Sequence, residues 1–248
     1  MLTREINSLQ HPIVKHLFKV HSDRHYRQSE NSAIVLGKKI IFELPGAIQI
    51  KTLLLAEDLA LPQHLKADQL FRVPVSILKK ISGAQTPEPI AAEVSLPPMS
   101  DLTQKNYLIA LDGVSDPGNL GTLLRSALAL GWEGAFITTG STDPFNDKAL
   151  RAAKGATFRL PLRIGSLDEL EELARTNHVN ICIADLAGAP LQKEMAGPPL
   201  LLVFGNESKG VSPRLKKGAK TFCIPMQGKM DSLNVAAAAA IFMYVLKG

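Results

Sequence analysis

Apolar residues follow two different rhythms along this chain. In the first hundred positions, Ile13, Val14, Leu17, Phe18 and Val20 recur at helical spacing between Leu2 and about Tyr26, which predicts a first helix entered at His11-Pro12. Short β-like runs follow at 33–36, 52–56, 71–74 and 90–94 with helical stretches between them, the outline of a small α/β unit. Residues 95–105 hold the adjacent prolines Pro97 and Pro98 among polar neighbours and read as a linker. From Tyr107 the rhythm changes. Strand-like runs at 107–111, 135–139, 179–184, 200–204 and 221–224 alternate with helical segments near 120–130, 147–153, 167–176, 213–217 and 235–246. Near-continuous apolar strands alternating with helices predict a parallel sheet covered on both faces. In such sheets ligands bind beyond the carboxyl ends of the strands. The expected division is 1–98 as one domain, 99–106 as linker and 107–248 as a second domain.

Composition narrows this outline only slightly. At 248 residues and 46% hydrophobic, the chain can bury one large core or two modest ones. A net charge of +5 suits a polyanionic partner without requiring one. The basic residues Arg4, Lys15, Lys19, Arg24 and Arg27 and four histidines crowd the N-terminal segment, against only Glu5 and Asp23. That segment is either a solvated helix face or an RNA-facing surface, since phosphate neutralisation dominates non-specific nucleic-acid affinity. Cys182 and Cys223 each lie in an apolar run and are expected as buried free thiols. No His/Cys/Asp cluster has metal-ligand spacing, so no metal is expected. The N-terminus lacks the apolar segment of a secretion signal, and the longest uncharged stretch, 232–246, is short for a membrane span, so a soluble cytoplasmic protein is expected.

Candidate chemistry concentrates in three runs: Asn119 to Arg125 (NLGTLLR), Gly205 to Gly210 (GNESKG) and Ile224 to Asn234 (IPMQGKMDSLN). Each sits where a strand-like run gives way to a loop. In the first, Pro117-Gly118 reads as a turn, Asn119 as a helix N-cap and Gly131 as the helix stop. Arg125 then either makes a surface ion pair or holds a phosphate or reacting oxygen with its planar fork of donors. In the second, Gly205 would let a ligand approach the backbone and Gly210 would supply a turn, while Glu207 is either a capping carboxylate or a charge-holding group of the site. In the third, Gly228 permits a sharp path and Ser232 is a natural N-cap. Asn234, one turn inside that helix with low helix propensity, calls for a side-chain task.

In this order, ahead of an alanine-rich last helix, the three runs resemble the signature motifs of the SpoU (TrmH-like) RNA 2′-O-ribose methyltransferases of the SPOUT superfamily. The second matches the family pattern G-x-E-x-x-G in full. The resemblance spans roughly 107–246 strongly. It implies a SPOUT fold with a C-terminal trefoil knot, a homodimer, and methyl transfer from S-adenosylmethionine to a ribose 2′-hydroxyl in ribosomal or transfer RNA. It further implies an active site of Asn119, Arg125, Glu207, Ser232 and Asn234. The adenosyl group would be held mainly by main chain around Phe204, Gly205, Asn206, Ile224, Pro225, Met226, Ser232 and Leu233. The N-terminal segment looks like the α/β RNA-binding domain carried by many members, with Leu9 to Lys15 (LQHPIVK) fitting its opening. Arg4, Lys15, Lys19, Arg24, Arg27 and Arg125 are the expected RNA contacts.

Two departures, Leu36-Gly37 where relatives often carry Glu-Gly and Glu88-Pro89 where Gln-Gly is frequent, bear on substrate choice and leave methyl transfer untouched. The competing readings are a knotted methyltransferase acting on a base nitrogen and a non-catalytic RNA-binding protein with the same fold. A nucleotide-dependent oxidoreductase is disfavoured because no G-x-G-x-x-G follows the first strand of either half.

Overall fold

The computed structural model describes residues 3–56, 59–192, 197–227 and 232–247. They fall into two compact units, Met1–Pro98 with Phe145–Arg151 and Met99–Pro144 with Ala152–Gly248.

The first unit contains, in chain order, β1 (Thr3–Glu5), α1 (Pro12–Ser22), α2 (Arg24–Ser29), β2 (Ser32–Leu36), α3 (Lys38–Phe42), β3 (Ile50–Leu55), β4 (Ala67–Arg72), α4 (Val75–Ser82) and β5 (Ile90–Ser95). Its mixed sheet has the order β1-β4-β3-β5-β2. The helical stripe Val14, Leu17 and Val20 of α1 is buried in one cluster with Ile77, Leu78 and Ile81 of α4. The continuous helix expected to about Tyr26 breaks at Asp23. Extended backbone there ends α1, and the Asp23 carboxylate accepts from Tyr26 N to start α2. Arg27, expected on an RNA-facing surface, is only 4% exposed. Its Nη1 donates to the carbonyls of Val20 (2.8 Å) and His21 (2.7 Å), closing the open end of α1. Buried Glu93 on β5 accepts from Ser32 Oγ and Thr52 Oγ1 and lies 2.9 Å from His16 Nε2, tying α1 to three strands. Strand β1 was not expected, and the strand expected at 71–74 lies earlier, because Pro74 instead opens α4.

The later elements are β6 (Tyr107–Asp112), α5 (Pro117–Ala129), β7 (Gly134–Thr138), α6 (Asp147–Ala153), β8 (Leu162–Gly165), α7 (Leu167–Thr176), β9 (Asn180–Pro190), β10 (Leu200–Gly205), α8 (Pro213–Lys216), β11 (Lys220–Cys223) and α9 (Val235–Lys247). The strands form one six-stranded sheet in the order β11-β9-β10-β6-β7-β8, every pairing parallel. Leu108 and Ala110 of β6 and Leu201 and Val203 of β10 pack with Leu170 and Leu173 of α7 and with Leu215 of α8. Side chains alternate across a strand, so Phe204 points to the other face, where it meets Phe242 of α9 edge to face at 6.3 Å. Burial on both faces explains why these strands lack polar alternation. The short strand β8 has only four residues and no distinct pattern, and it was not anticipated. Among the described residues no helix is long and apolar enough to cross a membrane.

Two features of register prepare the site. Strands β6 and β10 pair from Tyr107 opposite Leu200 to Asp112 opposite Gly205, so the loops after both strands leave the sheet side by side. Strand β9 outruns its expected end at residue 184. Its partner β11 has Thr221 opposite Ile183 but Phe222 opposite Ala189, so residues 184–188 bulge out of the ladder.

Candidate active site

The loops following β6, β10 and β11 meet at the carboxyl edge of the sheet, beside the point where strand order reverses around β10 and β6. Helix α5 follows the first loop. Its N-cap is Asp116, whose carboxylate accepts from Asn119 N at 2.8 Å, and Pro117 and Gly118 are already helical. Asn119 is therefore not the cap, and its side chain is free for other partners. The third loop carries a parallel correction: Asn234, not Ser232, caps α9, with Asn234 Oδ1 accepting from Ala236 N at 2.9 Å.

These shifts join the three runs through one polar chain. Asn234 Nδ2 donates to Asn119 Oδ1 at 3.0 Å, and Asn119 Nδ2 donates to Glu207 Oε1 at 2.9 Å. Glu207 also accepts from Asp116 N on Oε1, and from Ser115 N and Ser115 Oγ on Oε2. Partial burial alone would raise the pKa of this carboxyl, but the donors from Asn119 and Ser115 outweigh it and bring it to about 2. With four donors, an ionised carboxylate has little capacity left. Glu207 is thus a fixed anionic anchor and a poor proton acceptor near neutrality. Among the described residues it neither caps α8 nor pairs with an arginine.

The second loop is folded on itself. Asn206 and Gly210 exchange two backbone hydrogen bonds (3.0 and 2.9 Å), and Asn206 Oδ1 accepts from Ser208 N and Lys209 N. Asn206 Nδ2 reaches Gly113 O at 2.8 Å, linking this loop to the one after β6. Gly210 adopts φ +70°, as a turn glycine should. Gly205 lines the cavity, and its missing side chain also serves a close approach of the chain to itself. A Cβ there would fall within 3.0 Å of backbone at Gly210 and Val211, so the space is taken by the chain itself.

Beneath the polar chain lies a cavity of about 530 Å³, lined by Ala184, Asp185 and Leu186 of the β9 bulge, by Phe204 to Gly210, and by Lys216, Cys223, Ile224, Met226, Ser232, Leu233, Asn234, Val235, Ala238 and Phe242. This volume lies within the usual ~300–1,000 Å³ for small-molecule sites. Of the residues expected around the adenosyl group, Phe204, Gly205, Asn206, Ile224, Met226, Ser232 and Leu233 line it and Pro225 does not. Of the expected catalytic set, Glu207, Ser232 and Asn234 line it, with Asn119 bonded to two of them. Arg125 stands apart. It is exposed on α5 six residues beyond Asn119, which at ~100° per residue turns it about 120° away around the helix. Gly228 lies outside the described residues. Cys223 is half-buried rather than buried, whereas burial drives the fully enclosed Cys182 thiol up to about 11.

Asp185, Leu186 and Lys216 were not singled out in the sequence. The bulge that delivers the first two depends on a strand pairing that no local pattern encodes.

The first unit keeps Arg4, Lys15 and Lys19 exposed, Lys19 with its Nζ 4.2 Å over the Tyr26 ring, while Arg24 is half-buried. Among the described residues no group of three or more His, Cys, Asp or Glu side chains could hold a metal ion.

Residues 106–244 match the model of the SpoU rRNA Methylase family. The chain is 31% identical, over 99% of its length and 100% of the other's, to the 23S rRNA (guanosine(2553)-2′-O)-methyltransferase RlmP of Bacillus subtilis. It is 33% identical to the 23S rRNA (guanosine-2′-O-)-methyltransferase RlmB of Yersinia pestis over 61% of this chain and 63% of that one. The crystal structure of an AdoMet-bound rRNA methyltransferase from Sinorhizobium meliloti superposes with a TM-score of 0.86 at 28% identity, covering 98% of this chain and 97% of the other. A full-length relative at 31% identity and a family model spanning most of the second unit agree with the polar chain linking the three loops: the chain belongs to the SpoU rRNA methylase family.

Proposed function

We propose that this protein methylates a ribose 2′-hydroxyl of RNA, ribosomal RNA in the first instance, with S-adenosylmethionine as methyl donor. The observation that carries this reading is the hydrogen-bonded sequence Glu207–Asn119–Asn234 across three loops at the cavity. Two of the similar proteins are named as 23S rRNA guanosine 2′-O-methyltransferases, and a similar fold binds AdoMet, which supports the same substrate class and donor here. The cavity fits an adenosyl group: Leu186, Ile224, Met226 and Leu233 offer apolar walls for a base, and polar groups of the second and third loops surround them.

When bound, S-adenosylmethionine supplies an electrophilic methyl group carried on a sulfonium. The chain's own residues orient the incoming ribose and keep it still. Asn119 and Asn234 each spend one amide N–H within the polar chain and retain the other, which can hold the attacking oxygen. Glu207 locks the Asn119 amide so that its N–H and C=O ends cannot exchange. Such positioning accounts for up to ~7–11 kcal/mol of barrier lowering in oriented reactions.

Arg125 belongs to this proposal as a group that holds substrate phosphate or oxygen in the cleft of a second copy of the chain. Ala237, Ile241 and Tyr244 form an exposed stripe at i, i+4 and i+7 on α9, which packs beside α5, and such a stripe suits a homodimer. We include the C-terminal trefoil thread, the role of the first unit as RNA-binding domain through Arg4, Lys15 and Lys19, and a cytoplasmic setting in the same reading. Calorimetric titration of the purified protein with S-adenosylmethionine tests it, with one site per chain expected. Absence of both heat and thermal stabilisation would contradict it.

A further inference from the structure

The cavity holds one charged pair that the reading above leaves without a task. Asp185 projects from the β9 bulge with its side chain 20% exposed, and its Oδ2 lies 2.5 Å from Lys216 Nζ at the end of α8. Its Oδ1 accepts from Ala187 N at 3.1 Å, which fixes the carboxylate plane. The lysine and this amide hold the group well below the ordinary aspartate range. Both residues line the cavity, with Ala184 and Leu186 on either side of the carboxylate.

We propose that Asp185 binds the cis-diol of the cofactor's ribose, with Lys216 as the residue that positions it. This rests on the cavity being the S-adenosylmethionine site. Among the described residues each oxygen of Asp185 has one partner, which leaves a lone-pair direction on each, so the carboxylate can accept two adjacent hydroxyls side by side. A neutral diol suits a carboxylate whose charge is already matched. A cationic ammonium would have to displace Lys216. Location supports the same choice: Asp185 sits at the carboxyl edge of a parallel sheet, where an acidic side chain is a common partner of a nucleoside ribose. Leu186 next to it, and Ile224, Met226 and Leu233 across the cavity, supply the apolar walls that a base attached to that ribose requires.

Calorimetry with three ligands tests this: S-adenosylhomocysteine, 5′-methylthioadenosine, which keeps the diol but lacks the amino acid, and 2′-deoxy-5′-methylthioadenosine. Wild-type protein should prefer the ribo over the deoxyribo ligand at least tenfold. Asp185→Ala should weaken S-adenosylhomocysteine and methylthioadenosine by the same factor, at least tenfold, and erase the ribo preference. Lys216→Met should reduce that preference without removing binding. If Asp185→Ala fails to fold, the wild-type and Lys216→Met comparisons still decide. Loss confined to S-adenosylhomocysteine would place the carboxylate against the amino acid and overturn the proposal, as would an intact ribo preference in Asp185→Ala or equal wild-type affinity for both nucleosides. A wild-type protein that binds none of the three would instead contradict the cofactor reading itself.

Discussion

At the scale of single residues, Asn234 carries two duties that substitution can separate. It caps α9 through Oδ1 and holds Asn119 through Nδ2. Asn234→Ser keeps a capping oxygen and removes the amide donor, whereas Asn234→Ala removes both. We expect the alanine variant to lose about 1 kcal/mol of stability in denaturant unfolding and the serine variant to stay near wild type. Both should lose methyl transfer. Retained activity in the serine variant would assign Asn234 to capping alone. Glu207 makes a second expectation, on pH. Its folded pKa of about 2 lies below the ordinary 4.5 that it takes in the unfolded chain. Between those values the unfolded state binds more protons, so stability falls as pH drops from about 4.5 toward 2 and is fully present above that window. Glu207→Gln should flatten this acid limb of the stability profile, and an unchanged limb would mean that the carboxylate is not held as described.

Elements explain both what the sequence disclosed and what it hid. The strands after Tyr107 and the helix stripe of α1 were legible because burial imposes a period on apolar residues. The helix starts were misassigned by two or three positions at Asn119 and Ser232, because Asp116 and Asn234 are equally good caps and local sequence does not choose between them. Those small shifts matter for chemistry, since they release Asn119 to bridge two loops. Gly205, expected to let a ligand approach, lines the cavity, and its missing side chain also admits Gly210 and Val211, a contact that no local pattern encodes. Gly205→Ala should therefore cost about 1–3 kcal/mol through overpacking and weaken cofactor binding with it. Thermal melting checks the first effect and calorimetry the second; a variant as stable as wild type would contradict the close approach. Arg27 was grouped with its basic neighbours by charge alone, and only the turn between α1 and α2 reveals it as a buried cap. Arg27→Ala is expected to destabilise by about 1.5–3 kcal/mol, as for hydrogen bonds from a charged donor. Lys15→Ala with Lys19→Ala should leave melting unchanged and lower the salt dependence of RNA binding by about one phosphate contact each. Salt titrations that do not distinguish these variants would remove α1 from the RNA surface.

On the scale of the whole molecule, parallel pairing brings to one sheet edge three loops whose linked residues span 115 positions, from Asn119 to Asn234. The place of the three runs at the carboxyl edge was legible from the strand–helix alternation, but strand order, which no periodicity encodes, was expected only through resemblance. Within one chain Arg125 is exposed and stands outside this cluster, so the role proposed for it requires a second copy of the chain. Tyr244→Asp with Ile241→Asp should yield monomers in sedimentation and abolish turnover while S-adenosylmethionine still binds; active monomers would end the role proposed for a second copy. The most direct measurement of the central claim is nucleoside mass spectrometry of ribosomal RNA incubated with the protein and isotopically labelled S-adenosylmethionine. The labelled methyl group should appear on a ribose 2′-oxygen with wild-type protein, and should be absent with Asn119→Ala although that variant binds the cofactor within a few-fold of wild type. Label on a nucleobase, or full activity in Asn119→Ala, would contradict the chemistry derived from these loops.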